Sequence, residues 1–237
     1  MEVSDSLKTL LLELLSTHEV EQINHQLSRE CRQNSQVLWT GIPRGAAQAW
    51  ADRRKLQTLT TAMGPLMDKQ HPSCLRRTKS DNQWKVYVKG ASALFAYRIT
   101  RQSSKVIVLS QPPPQKLNPN GHTNYQLIEE PILKGIYDSH AVGIIQMVHP
   151  TVGGAEEFEY QSWPVDRTED WTERFSHLTV TRIPWRIPKF TSAMKRIEAI
   201  LTVAQSSISF NENKVSPSSS ADLLETGAGA EIGRAHV

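Results

Sequence analysis

Cys74 is the residue whose type and neighbours best suit nucleophilic chemistry. The sequence holds two cysteines, Cys31 and Cys74, and Arg76 and Arg77 closely follow the second. A thiolate needs a base or cationic surroundings to form at neutral pH. The candidate bases are His71, His140 and His149. A cysteine-dependent enzyme is therefore one alternative function, although the stretch HPSC at 71–74 matches no recognised nucleophile motif.

Metal and cofactor chemistry finds little support in the sequence. His71 and Cys74 have a metal-ligand spacing, but no second pair of Cys or His completes a tetrahedral zinc set. Acidic residues between 156 and 170 could pair as acid and base or hold a hard cation, yet strand alternation puts Glu157 and Glu159 on one solvated face. No GxxxxGK[ST], GxGxxG or GxSxG occurs. We expect no metal and no cofactor.

The charge of the chain is distributed in blocks. Residues 37–116 hold 14 Lys or Arg and 3 Asp, interleaved with Trp39, Trp50, Trp84, Tyr87 and Tyr97. Cations neutralise phosphates and aromatic faces stack on bases, so this combination predicts, as an alternative function, single-stranded nucleic-acid binding. The candidate binding residues are Arg53, Arg54, Lys55, Arg76, Arg77, Lys79, Lys85 and Lys89.

The acidic segment that follows offers a different interpretation of the same charges. Residues 117–177 hold 3 Lys or Arg and 10 Asp or Glu. In one compact fold, the basic and acidic segments can neutralise each other. We therefore favour a non-catalytic protein-binding or adaptor domain over nucleic-acid binding. Its partner would be another protein, or a second copy of the chain through the N-terminal helices.

Two helices are predicted at the N-terminus. Leu7, Leu10, Leu11, Leu14 and Leu15 follow the spacing of one helical face. The Ser16-x-x-Glu19 pattern is a capping box that starts a second helix. A pair this short does not bury its own leucines, so it must pack on the body of the protein or on another copy.

The central part of the chain predicts more helices and one strand. Pro43 starts a helix that Gly64-Pro65 ends. Ser80-x-x-Gln83 caps a helix predicted over the stretch 80–99, which includes Gly90. The run KVIVL at 105–109 is short and β-branched, which is typical of a buried strand. Thr123-x-x-Gln126 caps a further helical stretch that Pro131 interrupts.

The C-terminal half predicts a hairpin and further elements. Strands at 142–150 and 156–164 flank Gly153-Gly154, which favours an antiparallel connection. A helix around Trp171, a strand at 178–183 (LTVTRI) and a helix at 192–204 follow. This order predicts an α+β fold with N-terminal helices, then a small, mostly antiparallel sheet with packed helices, and a disordered C-terminal tail.

These elements divide the chain into an N-terminal helical pair at 1–36, an α+β domain at 37–205 and a disordered tail at 206–230. The last seven residues, EIGRAHV at 231–237, match the translation of a common sequencing adapter and are interpreted as an artefact. No apolar run reaches the roughly 18 residues that a membrane span needs. With no secretion signal and few cysteines, we expect a soluble intracellular protein, cytoplasmic or nuclear.

Overall fold

Two capped helices open the fold. The computed structural model describes residues 3–185 and 191–214, with side chains as far as residue 207. Helix α1 spans Asp5–Leu14 after the N-cap Ser4, and α2 spans Thr17–Glu30. The side chain of Ser16 accepts from the backbone N–H of Glu19, whose side chain accepts from the N–H of Ser16. The predicted capping box is confirmed.

The next helices lead to the long central helix. Helix α3 spans Arg44–Arg53 and α4 spans Leu59–Met63, so the single helix predicted between Pro43 and Gly64 is two. Short 3₁₀ turns follow at Gly64–Leu66 and Leu75–Arg77. Helix α5 spans Asp81–Gln102 behind the predicted capping box of Ser80 and Gln83. With 22 residues it is longer than predicted.

Within the described residues, four strands form one sheet in the order β1-β2-β3-β4. They are β1 (Val37–Trp39), β2 (Lys105–Leu109), β3 (Ile144–Val148) and β4 (Tyr160–Trp163). The β1–β2 and β2–β3 pairs are parallel, and only the β3–β4 pair is antiparallel. The expectation of a mostly antiparallel sheet is therefore wrong, whereas the predicted β3–β4 pairing is confirmed. The broad α+β class also holds.

The parallel pairings follow from the elements between the strands. Helices α3, α4 and α5 fill the connection from β1 to β2, and such long crossovers let a strand return in the same direction. Strand β1 has three residues, too few for its pattern to be recognised in the sequence. With β1 not recognised, the expectation of an antiparallel sheet rested on the hairpin of β3 and β4 alone.

Both faces of the sheet are buried. Val106, Val108 and Ile145 face the main core, which also includes the leucines of α1 and most of the buried side of α5. Ile107 and Leu109 face the opposite way, toward Trp50 of α3. The Trp50 indole N–H donates to the carbonyl of Glu156 at 2.9 Å, which ties α3 to the β3–β4 connection.

The remaining helices lie after β2. A π-helical turn at Tyr125–Glu129 runs into α6 (Glu130–Leu133). Helix α7 spans Thr168–Phe175 and α8 spans Ser192–Lys214. The helix predicted at 192–204 is thus confirmed and is longer. It also occupies 206–214, where a tail was predicted. The rest of that tail and the adapter-like segment 231–237 lie outside the described residues.

The strand predicted at 178–183 is wrong. The Gln111 side chain donates to the carbonyl of Ile183 at 2.8 Å and accepts from its N–H at 3.2 Å. Arg182 donates to the carbonyls of Pro112 and Pro113. Pro112 and Pro113 have no N–H to donate to a sheet ladder, so side-chain hydrogen bonds hold the segment instead of strand pairing.

The leucine face of the N-terminal helices is covered within the chain. Leu7, Leu10, Leu11 and Leu14 are buried in the main core, where α1 packs on α5 and α8. Within residues 3–185 and 191–214, no helix is long and apolar enough to cross a membrane.

Gly90 provides a test of the packing between α1 and α5. A Cβ at Gly90 would lie 2.3 Å from Cγ of the buried Leu15. We expect Gly90→Ala to lower the free energy of unfolding by about 1–2 kcal/mol, because the overlap outweighs the gain in helix propensity. Urea unfolding of the purified chain measures this.

Gly45→Ala is the matched control, because a Cβ there has no atom within 4 Å. It should leave stability unchanged or raise it by up to about 1 kcal/mol. The double variant Gly90→Ala, Leu15→Ala should lose less than the sum of its single variants. Full additivity would show that the two side chains do not meet.

Candidate functional site

A cavity of about 270 Å³ lies at the carboxyl end of β1. Its walls come from the strand end at 37–41, from Leu59 of α4, from Val88 and Ser92 of α5, and from the turn at 123–129. The carboxyl ends of parallel strands are where ligands bind in open sheets that contain βαβ crossovers. We call this cavity the strand-end pocket.

Glu129 is the ionisable group in the wall of the strand-end pocket. Its side chain is 6% exposed, and one carboxylate oxygen accepts a hydrogen bond from the Ser92 hydroxyl. Burial raises the pKa of Glu129 to about 7, although the Ser92 hydrogen bond and the Lys89 charge favour ionisation. Both protonation states are therefore populated near neutral pH.

Further polar groups surround this carboxyl. Tyr125 is 1% exposed, lines the pocket, and has no hydrogen-bond partner for its hydroxyl among the described residues. Burial raises the pKa of Tyr125 well above its usual range, so its hydroxyl stays protonated. The Lys89 ammonium donates to the side-chain carbonyl of Asn124, another wall residue. The pocket thus combines donors with one titratable carboxyl.

The strand end itself contributes Trp39, Thr40 and Gly41 to the pocket wall. The backbone N–H of Thr40 donates to the carbonyl of Leu109 at 2.8 Å, which extends the pairing of β1 with β2. Gly41 has φ +69°, and a Cβ there would lie 2.0 Å from the ring of Trp185. Only glycine accommodates this backbone and this close contact.

A second polar cluster lies after the ends of β2 and β3. His149 is fully buried; its Nδ1 lies 3.2 Å from the Ser110 carbonyl and 3.3 Å from the Ser110 hydroxyl. With Nδ1 donating to that carbonyl, Nε2 accepts from the Tyr160 hydroxyl at 2.9 Å. Burial lowers the pKa of His149 to about 4, so the ring is neutral. The complete burial of Ser110 and His149 assigns this cluster a structural role.

The surroundings of the two cysteines do not favour a reactive thiolate. Both are free thiols, and Cys74 is 2% exposed. Burial raises the pKa of Cys31 to about 11. Of the candidate bases, His149 is engaged in the buried cluster and His140 lies beside Asp138. Nδ1 of the third, His71, accepts from the backbone N–H of Ser73 at 3.2 Å. These observations do not favour the cysteine-dependent enzyme.

The residues predicted to bind nucleic acid lie on or beside α3, the 3₁₀ turn at Leu75–Arg77 and α5. Arg54 forms an ion pair with Glu157 and lies over the Trp50 ring, while Arg76 pairs with Asp81. Lys79 pairs with Glu19 at 2.5 Å. Lys89 donates to Asn124, as described above. The four remaining cations are exposed: Arg53, Lys55, Arg77 and Lys85.

The aromatics of the basic segment are mostly core residues. Trp50, Tyr87 and Tyr97 are each at most 2% exposed, so their faces are not open to bases. Lys105 pairs with Glu159 at 3.1 Å and Lys116 with Asp166 at 2.7 Å. The basic and acidic segments therefore neutralise each other in part, as the charge pattern suggested. Within the described ranges, no group of three or more His, Cys, Asp or Glu could hold a metal ion.

The sequence analysis missed the main residues of the strand-end pocket. Glu129 lies in the stretch YQLIEEPIL, where its neighbours are mostly apolar. An acidic residue inside an otherwise buried run is the signal that could have identified it. Ser92 lies in the small and apolar run ASALFA and has no comparable signal. The charge pattern predicts that Lys89 binds phosphate, whereas the structure places it beside the pocket wall.

No protein-family model matches the chain, and no curated protein matches it significantly. The functional argument therefore rests on the geometry of this chain.

Glu129 should give stability a characteristic pH dependence. Its pKa is about 7 in the fold and about 4.5 in the unfolded chain, so the folded state holds the proton more tightly. Between pH 4.5 and 7 the unfolded chain ionises first, and stability falls by up to about 3 kcal/mol. Below and above this window the contribution of Glu129 is constant.

Urea unfolding from pH 4 to 8 measures this contribution as the difference between the wild type and Glu129→Gln. The Gln variant should lack the decline between pH 4.5 and 7 that burial of Glu129 produces. Glu130→Gln is the control, because its neighbouring carboxyl pairs with Lys134 at the surface of α6. Parallel stability curves for wild type and Glu129→Gln would contradict the raised pKa.

Proposed function

We propose that the chain binds a small polar molecule in the strand-end pocket and exchanges a proton with it through Glu129. The observation that carries this proposal is the buried carboxyl of Glu129 in the wall of a cavity, with a pKa of about 7. A general acid or base works best when its pKa lies near the working pH. Strongly shifted carboxyls in pockets are typical of functional sites.

The pocket walls support a ligand with several hydrogen-bonding groups. The Tyr125 hydroxyl is buried without a partner among the described residues, and such groups are rare in folded proteins unless a ligand or water meets them. The side chains of Thr123 and Asn124 offer further hydrogen-bonding groups at the wall. A molecule with hydroxyl or amide groups would satisfy them.

The size and the aromatic wall restrict the ligand further. The cavity of about 270 Å³ is near the lower end of the roughly 300–1,000 Å³ typical of ligand pockets. Trp39 contributes to the wall beside Leu59 and Val88. A small metabolite with one ring, or of similar size, fits these walls better than a peptide or a polynucleotide does.

The functions expected from the sequence stay predictions. A protein-binding or adaptor role would need a surface other than the leucine face of α1, because that face is buried within the chain. Single-stranded nucleic-acid binding would rest on the exposed cations Arg53, Lys55, Arg77 and Lys85, without the buried aromatics.

The test is a search for ligands that depend on Glu129. Native mass spectrometry of the purified full chain detects small molecules that copurify, and thermal shift with polar metabolites detects further ligands. We expect ligands whose affinity changes between pH 6 and 8 and falls about tenfold or more in Glu129→Gln, because a hydrogen bond to a charged group is lost. Ser92→Ala should weaken the binding of the same ligands.

Glu130→Gln is the matched control, since it removes the adjacent carboxyl without changing the pocket wall. It should bind the same ligands as the wild type. If no copurified molecule or library compound depends on Glu129, the proposal is wrong.

A further inference from the structure

A second cavity lies beside α7 and the segment that follows this helix. It has a volume of about 550 Å³, within the usual size range of ligand pockets. Trp171 and Phe175 of α7 form one wall, and Pro113 and Pro114 form another. Its residues are different from those of the strand-end pocket. We call it the α7 pocket.

The walls of the α7 pocket are mainly apolar and firmly supported. The Trp171 ring meets the buried His149 ring edge-on, with centroids 5.2 Å apart. The Phe175 ring packs against Phe158 at 5.1 Å between centroids. Leu178 and Val180 complete the apolar lining. The aromatic wall is thus fixed by the sheet behind it, which favours a preformed site.

Two wall residues carry donors with capacity for an acceptor, the buried Trp171 and the exposed Arg182. Trp171 is 3% exposed, and its indole N–H has no hydrogen-bond partner among the described residues. Arg182 uses two of its nitrogens on the carbonyls of Pro112 and Pro113, at 3.2 and 2.5 Å. Both acceptors are neutral carbonyl oxygens, and the guanidinium has five N–H donors in total, more than these two hydrogen bonds use.

We propose that the α7 pocket binds an apolar molecule that carries one carboxylate. The apolar part would lie between the aromatic wall and the prolines. The carboxylate provides what the two donors lack, a negative charge for Arg182 and an acceptor for the Trp171 N–H. Arg is suited to carboxylates because its planar donors match their geometry. This proposal is independent of Glu129 and of the strand-end pocket.

The probe is decanoate, used below its micelle concentration and measured by calorimetry and by NMR of the full chain. 1-Decanol is the uncharged comparison. We expect decanoate to bind about tenfold more tightly than 1-decanol, because a hydrogen bond to a charged group is stronger than one to a neutral group. Trp171→Phe keeps an aromatic side chain and removes the N–H, and it should weaken the binding of decanoate several-fold.

Thr172→Trp tests the location of binding without disturbing the core. Thr172 is an exposed residue of α7 that lines the pocket, so a larger side chain there should block it and abolish binding. His177→Trp is the matched control, because His177 is exposed nearby and is not part of the lining. It should bind decanoate as the wild type does.

Three results would each overturn the proposal. They are no binding of decanoate to the wild type, equal affinity for 1-decanol, and undiminished binding in Thr172→Trp. A fourth such result is loss of binding in both Thr172→Trp and His177→Trp, because the effect would then not be specific to the pocket. Circular dichroism of each variant confirms that it is folded before binding is compared.

Discussion

Three parallel strands with apolar side chains on both faces impose the main constraint on this fold. Ile107 and Leu109 of β2 point toward α3, while Val106 and Val108 point toward α5. Parallel sheets of this kind must be covered on both sides. The long connection from β1 to β2 provides the covering helices on both faces. The N-terminal helices then cover α5, whose middle section is buried from Gly90 to Tyr97.

The same arrangement creates the strand-end pocket. Because β1 and β2 run in parallel, the chain leaves β1 at the edge where α5 and the turn at 123–129 converge. Glu129 is placed in this wall by a turn whose other buried residues, Tyr125, Leu127 and Ile128, pack into the core. Its burial opposes ionisation, and the shifted pKa is therefore a direct consequence of how the turn packs.

Ion pairs join the basic segment 37–116 to the acidic segment 117–177. Arg54 pairs with Glu157 next to Trp50, and Lys105 pairs with Glu159 at the start of β2. Lys116 joins Asp166, which precedes α7. Exposed pairs of this kind each contribute little to stability. Together they reduce the positive field that the basic segment would otherwise present, which weakens the electrostatic argument for nucleic-acid binding.

Elements with local signals could be predicted from the sequence. The capping boxes at Ser16 and Ser80 and the β-branched run of β2 each depend on neighbours in the chain. Strand orientation, the short β1 and the irregular path of 178–183 depend on contacts between distant segments, such as Gln111 with Ile183. The strand-end pocket belongs to this second group. Ser92 and Glu129 are 37 residues apart and meet only because α5 and the turn pack together. The burial of Glu129 and its pKa of about 7 therefore result from contacts between segments that are distant in the chain.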